Sequence, residues 1–257
     1  MSKRSGLQIP PERLVFGKNP VMELVRHHPD RLEAVYIMSS GRREGELAEY
    51  ADALRDASVR VETVSRAVLD KLLPSGGVHQ GIAAKLRSVL KQSLSELIDV
   101  VQAARLPVLV ALDEVTDPHN LGAVLRACEC AGVSGVIIPE HRSAHSTPVV
   151  RKASAGASEH ISLVEVTNLA HALREIKKRD FWIVGTALSK ESQNLFSGAL
   201  PTPAVVVFGG EGRGIRPVIS GLCDVFVEIP MLGHIQSLNV SQAAAVVLFE
   251  YVRRQQA

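Results

Sequence analysis

Three polar segments hold the side chains whose types and spacing could do chemistry. In DEVTDPHNLGAVLRACECAG (113–132), Asn120 can cap a helix on which Gly122 and Arg126 lie one turn apart, setting a cation beside a position with no side chain. The plainer reading is a capped surface helix with a solvated arginine. In FGGEGRGIRP (208–217), glycines at 209, 210, 212 and 214 permit close backbone approach to a ligand and offer N–H donors. Glu211, a carboxylate among them, either positions a substrate or caps the helix that follows Gly214. The spacing fits neither G-x-G-x-x-G nor a phosphate-binding Gly-Lys-Ser/Thr loop, which disfavours a nicotinamide-dependent oxidoreductase. The third segment, Ile229–Arg254, reads as a strand end halted by Pro230, a polar loop ending in Ser237-Leu238-Asn239, and a long apolar helix that Asn239 can cap. Its plainer reading is a packing helix. Three such loops after strands of one sheet can converge on its carboxyl edge, where open α/β sheets bind ligands.

The elements that must position these segments follow from periodicity. Asn19-Pro20 predicts a cap and the start of a helix to about His27. LEAVYIM (32–38) predicts a strand, 41–57 a helix, VRVETV (59–64) a strand, a Ser65 cap opens another helix, and IAAKLRSV (82–89) closes a small α/β unit. An amphipathic stretch over 90–105 then leads into PVLVALD (107–113), a continuous apolar run suited to a strand covered on both faces. After it, strands at 135–139, 161–166, 181–187, 204–210 and 224–230 alternate with helices from Asn120, near 148–157, over 168–179 and from Asn239. Alternation of this kind predicts a mostly parallel sheet. The closing helix is apolar on one face (Val240, Ala243, Ala244, Val247, Leu248, Tyr251) and elsewhere at Val246 and Phe249. Such a helix at a chain end is expected to be buried on more than one side, which a two-fold dimer would supply.

Composition narrows the class. With 257 residues, 46% of them hydrophobic, the chain can bury a substantial core in one or two domains. No run reaches the ~18 apolar residues of a membrane span and the start carries no apolar leader, so a cytoplasmic protein without membrane association is expected. Cys128, Cys130 and Cys223 are odd in number, and the first two point to different helix faces, against both a disulfide framework and a zinc site. His119, His234 and the His141/His145 pair lack partners at metal-ligand spacing, so no metal is expected. Residues 1–105 hold 16 Lys and Arg against 13 Asp and Glu, and the remainder 13 against 14, so the excess positive charge lies in the N-terminal part and points weakly to an anionic ligand there.

The motifs themselves carry a resemblance. NLGAVLR (120–126), GGEGRG (209–214), and IPM with SLNVS (229–231 and 237–241) resemble the three motifs of the SpoU/TrmH family of RNA ribose 2′-O-methyltransferases, part of the SPOUT superfamily. FGKNP (16–20) and VHQG (78–81) resemble the family's L30e-like substrate-binding domain. DPHNLG (117–122), RSAH (142–145) and VTNLA (166–170) are similar to the members that modify a guanosine ribose in the peptidyl-transferase P loop of 23S rRNA. The resemblance implies an L30e-like domain over 12–88, a linker over 89–104 and a SPOUT catalytic domain over 105–257 with a C-terminal trefoil knot, although threaded connections are otherwise almost absent from proteins. It further implies a homodimer that binds S-adenosylmethionine against Thr186, Gly209, Ile229 and Leu238. Arg126 is expected at the reacting ribose, in its own site or the partner's, with Asn120, Glu211, Ser237 and Asn239 as the polar set around it. A guanidinium stays protonated, so Arg126 is expected to act as a donor to phosphate or to developing oxyanion charge rather than as a base. The alternatives are a relative acting on tRNA or another rRNA site, including the antibiotic-resistance type, and a catalytically silent RNA-binding homologue.

Overall fold

The computed structural model describes residues 8–39, 54, 59–74, 77–87, 92–187, 192–235 and 237–256. The chain divides into two units, residues 1–90 with 146–159, and residues 91–145 with 160–257.

The first unit is built on a four-stranded sheet in the order β1 (Leu14–Phe16), β4 (Ile82–Leu86), β2 (Leu32–Met38), β3 (Val61–Val64). Strand β4 is antiparallel to both neighbours, and β2 and β3 are parallel. Alternation sorts the side chains: Val15, Val35, Ile82, Ala84 and Leu86 cluster with α1 (Lys18–His27), while Leu14, Phe16, Ala34, Tyr36 and Ala83 cluster with Leu69 of α2 (Arg66–Leu72). The expected Asn19 cap is not used. Helix α1 begins at Lys18 after Gly17, whose φ is +96°, and the Lys18 N–H is taken by Gln80 Oε1 at 3.1 Å. Pro20 is accommodated inside the first turn, where backbone N–H groups have no helical partner to lose. Ser65 precedes α2 without a side-chain cap bond. The helix expected over 41–57 lies outside the described residues except for Leu54, which is buried.

Residues 146–159 fall within the span expected for the catalytic domain, yet they group with the first unit. Thr147 caps α5 (Pro148–Ala153), which packs on β1 and α1. Arg151, 4% exposed, donates to both Glu159 carboxylate oxygens at 2.9 and 3.2 Å, and Arg31 reaches the same carboxylate at 3.0 Å. A side chain at Gly156 (φ +101°) would meet Glu23 Cβ at 2.9 Å, so the turn leaving α5 lies tight against α1.

The second unit opens with α3 (Leu94–Gln102), started by a reciprocal Ser93/Glu96 capping box. Its seven-stranded sheet has every neighbouring pair parallel, in the order β7 (Ser162–Val166), β6 (Gly135–Pro139), β5 (Val108–Asp113), β10 (Ala204–Gly209), β8 (Trp182–Thr186), β11 (Val225–Glu228), β9 (Gln193–Asn194). All six residues of β5 are buried, the outcome its unbroken apolar run predicts. Leu97, Ile98 and Val101 of α3 share one core cluster with Leu109 and Ala111 of β5 and with Leu169, Leu173 and Ile176 of α6 (Leu169–Lys177). The short β1 and β9 were not anticipated, because strands of three and two residues are too brief to show a period.

Candidate active site

Strands β5, β10, β8 and β11 are neighbours in a parallel sheet, so their carboxyl ends deliver four loops to one edge. A cleft of about 700 Å³ opens there, between Thr186 and Ala187 after β8, the 209–215 loop after β10, Glu228 to Met231 after β11, and Ser237 to Asn239 ahead of α8 (Val240–Gln256). Phe208, Val227 and Val247 give it an apolar floor. Its size falls in the ~300–1,000 Å³ range of small-ligand sites.

The glycine loop owes much of its composition to its own closure. A Cβ on Gly209 would stand 2.1 Å from the Gly214 carbonyl carbon, and one on Gly210 would stand 2.4 Å from the Glu114 carbonyl oxygen. The Gly214 N–H donates to the Gly210 carbonyl at 3.0 Å, and Gly214 adopts φ +64°. The loop therefore folds back on itself and lies against the end of β5, presenting Glu211 at its tip.

Glu211 is where the three sequence motifs meet. Asn120 Nδ2 donates to Glu211 Oε1 at 2.9 Å, Asn239 Nδ2 donates to the same oxygen at 3.1 Å, and Asn239 Nδ2 also reaches Asn120 Oδ1 at 2.9 Å. Asn120 does not cap its helix. That role belongs to Asp117, which accepts from the His119 N–H at 2.9 Å and starts α4 (Pro118–Cys130), leaving the Asn120 side chain inside the first turn and available to Glu211. Glu211 does not cap a helix either, since α7 (Pro217–Ser220) begins after Arg216 without a side-chain cap. Asn239 serves both ways, because its Oδ1 accepts from the Ser241 N–H at 2.9 Å while its amide faces the cluster.

Of the remaining candidates, Gly209, Ile229, Ser237 and Leu238 line the cleft, as does Thr186, whose hydroxyl is committed to the Val207 carbonyl at 2.9 Å. Arg126 does not reach it. It is exposed on α4 and makes no hydrogen bond or ion pair among the described residues. One pair was not legible beforehand. Asp113, fully buried at the end of β5, accepts from the Arg216 backbone N–H at 2.8 Å and from its Nε at 2.7 Å. That bond raises the guanidinium pKa above its usual value, the Asp113 hydrogen bond being the largest cause. A carboxylate at a strand end beside a glycine loop was the available signal.

No helix among the described residues is long and apolar enough to cross a membrane. Among them, no group of three or more His, Cys, Asp or Glu is placed to hold a metal ion.

A parallel sheet with such a cleft at its carboxyl edge defines the broad class of α/β enzymes that bind a small cofactor beside a second substrate. Within that class, the chain belongs to the SpoU rRNA Methylase family, whose model matches residues 107–249; a model described as RNA 2′-O ribose methyltransferase substrate binding matches residues 14–90. It is 40% identical over 245 residues to the 23S rRNA (guanosine-2′-O-)-methyltransferase RlmB of Pseudomonas putida, covering 94% of this chain and 96% of that one. The Escherichia coli K12 protein of the same name is 37% identical over 241 residues, covering 94% and 98%. Among solved structures, the SpoU methyltransferase AviRb of Streptomyces viridochromogenes in complex with AdoMet superposes with a TM-score of 0.74 at 25% identity, covering 95% of this chain and 90% of that one.

Proposed function

We propose that this protein transfers a methyl group from S-adenosylmethionine to the ribose 2′-hydroxyl of a guanosine in the peptidyl-transferase P loop of 23S rRNA. The observation that carries the proposal is the Asn120–Glu211–Asn239 cluster at the cleft, formed by the three motifs of a chain whose relatives bear the name of that reaction.

The cleft fits the cofactor on its own chemistry. Ile229, Leu238 and Val247 would offer apolar surface to an adenine, the closed 209–214 loop offers backbone rather than side chains to a ligand, and the carboxylates of Glu211 and Glu228 on the lining would suit a cationic sulfonium. When bound, S-adenosylmethionine supplies an already activated methyl group. The protein has to place the hydroxyl in line and ease the loss of its proton. Glu211 keeps Oε2 without a hydrogen bond among the described residues, while Oε1 is fixed by two amides, so it can orient a ribose hydroxyl or guanine donor. Arg126 holds the neighbouring phosphate or stabilises developing oxyanion charge, because a guanidinium stays protonated and has no free lone pair with which to take the hydroxyl proton.

The protein works as a homodimer in this proposal. Phe249 is 48% exposed on α8, and Ile235 78% and Leu232 100% exposed on the preceding loop, an apolar surface suited to a second copy. Arg126, which makes no hydrogen bond or ion pair among the described residues, then serves the partner's cleft. Residues 12–88 select the RNA, 89–104 connect, and 105–257 carry the reaction in the cytoplasm, with the family's trefoil knot near the C-terminus. Mapping of 2′-O-methylation in rRNA and tRNA with and without the gene tests the proposal. Loss at one P-loop guanosine is expected. Loss in tRNA or elsewhere in rRNA would reassign the substrate, and light scattering that found only monomer would remove the dimer.

A further inference from the structure

The end of β5 and the glycine loop are tied at two places, and the ties flank Glu211. Asp113 pairs in register with Gly209 of the neighbouring strand, so the two chains leave the sheet side by side. At the first residue beyond β10, Gly210 lies against the Glu114 carbonyl so closely that no side chain fits. At its far end, Arg216 offers its backbone N–H, its Nε and its Nη2 to the Asp113 carboxylate, at 2.8, 2.7 and 2.6 Å. The Glu114 carboxylate stands 3.8 Å from Arg216 Nη1 and 3.4 Å from Arg142 Nη1. Glu114 itself takes φ +60°, a left-handed conformation that side-chain-bearing residues rarely adopt.

A loop with glycines at 209, 210, 212 and 214 would otherwise sample many shapes, since glycine loses more conformational freedom on ordering than any other residue. An ion pair that buries one of its partners, as this one buries Asp113, is a poor device for stability alone, because the desolvation of the buried charge offsets much of the attraction. It is a good device for geometry. Asp113 has 0% exposure and sits where an apolar residue would continue the strand, yet its carboxylate is used almost entirely by one loop residue.

We propose that Asp113 and Arg216 form a positioning pair that fixes the 210–216 loop, and through it the Glu211 carboxylate, for methyl transfer; this rests on the methyltransferase reading given above. Neither residue touches substrate in this scheme. Arg216 acts through the loop and Asp113 through Arg216.

The experiment compares the full-length enzyme with Arg216→Ala, Arg216→Lys and Asp113→Asn. The readouts are S-adenosylmethionine affinity by calorimetry, single-turnover methylation of a 23S rRNA fragment, and amide hydrogen exchange. Arg216→Ala keeps the backbone bond and sits at a part-exposed position, so it tests the pair without removing a core group. Its single-turnover rate is expected to fall about a hundredfold, the scale of a ~1 Å misplacement of reacting groups, with faster exchange confined to 209–216. Arg216→Lys is expected to recover part of the rate, and Asp113→Asn to match Arg216→Ala. A wild-type rate in Arg216→Ala, or a slowing accompanied by faster exchange throughout the second unit, would overturn the pairing role while leaving the methyltransferase reading intact. If the wild-type enzyme neither bound S-adenosylmethionine nor methylated RNA, both would fall together.

Discussion

Asn120 and Asn239 stand 119 positions apart in the chain, and their side chains meet at 2.9 Å with Glu211 as a shared acceptor. The contact joins the start of α4, the tip of the glycine loop and the cap of α8 in one hydrogen-bonded cluster. Both amides donate to one carboxylate oxygen, and hydrogen bonds to a carboxylate are stronger than those to a neutral acceptor.

Replacing Glu211 by Gln leaves an oxygen for the two amides and removes the charge. S-Adenosylmethionine affinity and the melting temperature are expected to stay near wild type while the methylation rate falls by about two orders of magnitude, the usual cost of one oriented polar group at a reacting centre. Calorimetry, thermal denaturation and single-turnover kinetics on one preparation give the answer. A lower melting temperature with an unchanged rate per folded molecule would reduce Glu211 to a packing role.

Much of this site was legible in the sequence, and its omissions have physical causes. Asn120, Glu211 and Asn239 stood out because each follows a strand and sits beside a break in pattern. The roles were harder to read than the residues. Asn120 lies close enough to a helix start to pass for its cap, and only the Asp117 bond to the His119 N–H shows that the cap lies three residues earlier. Apart from β1 and β9, the strands came through with ends at most a few residues displaced, since apolar runs such as 107–113 and 135–139 mark themselves. The Asp113–Arg216 pair did not come through, because a contact spanning 103 positions leaves no periodic trace. The grouping of 146–159 with the first unit was hidden for the same reason: its buried Arg151 resembles any helical arginine until Glu159 and Arg31 are placed around it.

Arg126 should matter for rate and hardly at all for stability. It is exposed and makes no bond among the described residues, so Arg126→Ala is expected to change unfolding free energy by no more than ~0.5 kcal/mol. The methylation rate should fall about a hundredfold, or roughly 3 kcal/mol in barrier, with Lys recovering only part because it lacks the planar fork. Arg126→Lys acting at the full wild-type rate would remove the role.

Acid should loosen the end of α8. Hydrogen bonding to Arg253, and next to Arg254, draws the Glu250 pKa from 4.5 down to about 2, with burial opposing the shift. A carboxylate whose folded pKa lies below its unfolded one contributes stability that is complete above the unfolded value and lost as pH falls through the folded value. Denaturation midpoints are therefore expected to drop between about pH 4.5 and about pH 2, and Glu250→Gln should flatten that portion of the profile. An identical acid profile in the variant would exclude Glu250 as the source.

Glu159→Gln should be costly. Its side chain is fully buried between Arg31 and Arg151, and breaking one member of a buried charge cluster typically costs ~3–5 kcal/mol because the remaining charges stay unpaired. Urea denaturation followed by exchange in residues 8–39 would report it. Replacing Arg151 and Glu159 together by apolar residues should cost less than Glu159→Gln alone.

The excursion of 146–159 also sets an order of assembly. During synthesis, all four strands of the first unit's sheet precede residue 90, yet Glu159, the acceptor for Arg31, follows 69 residues later. At ~5–20 residues per second, that gap lasts roughly 3–14 s, a long interval beside the microseconds in which local helices form. The first unit is therefore complete only once residue 159 has been made. The nascent chain must keep the α1 face against which Gly156 closes free until α5 arrives, and a protein truncated anywhere before residue 159 would leave Arg31 without its carboxylate.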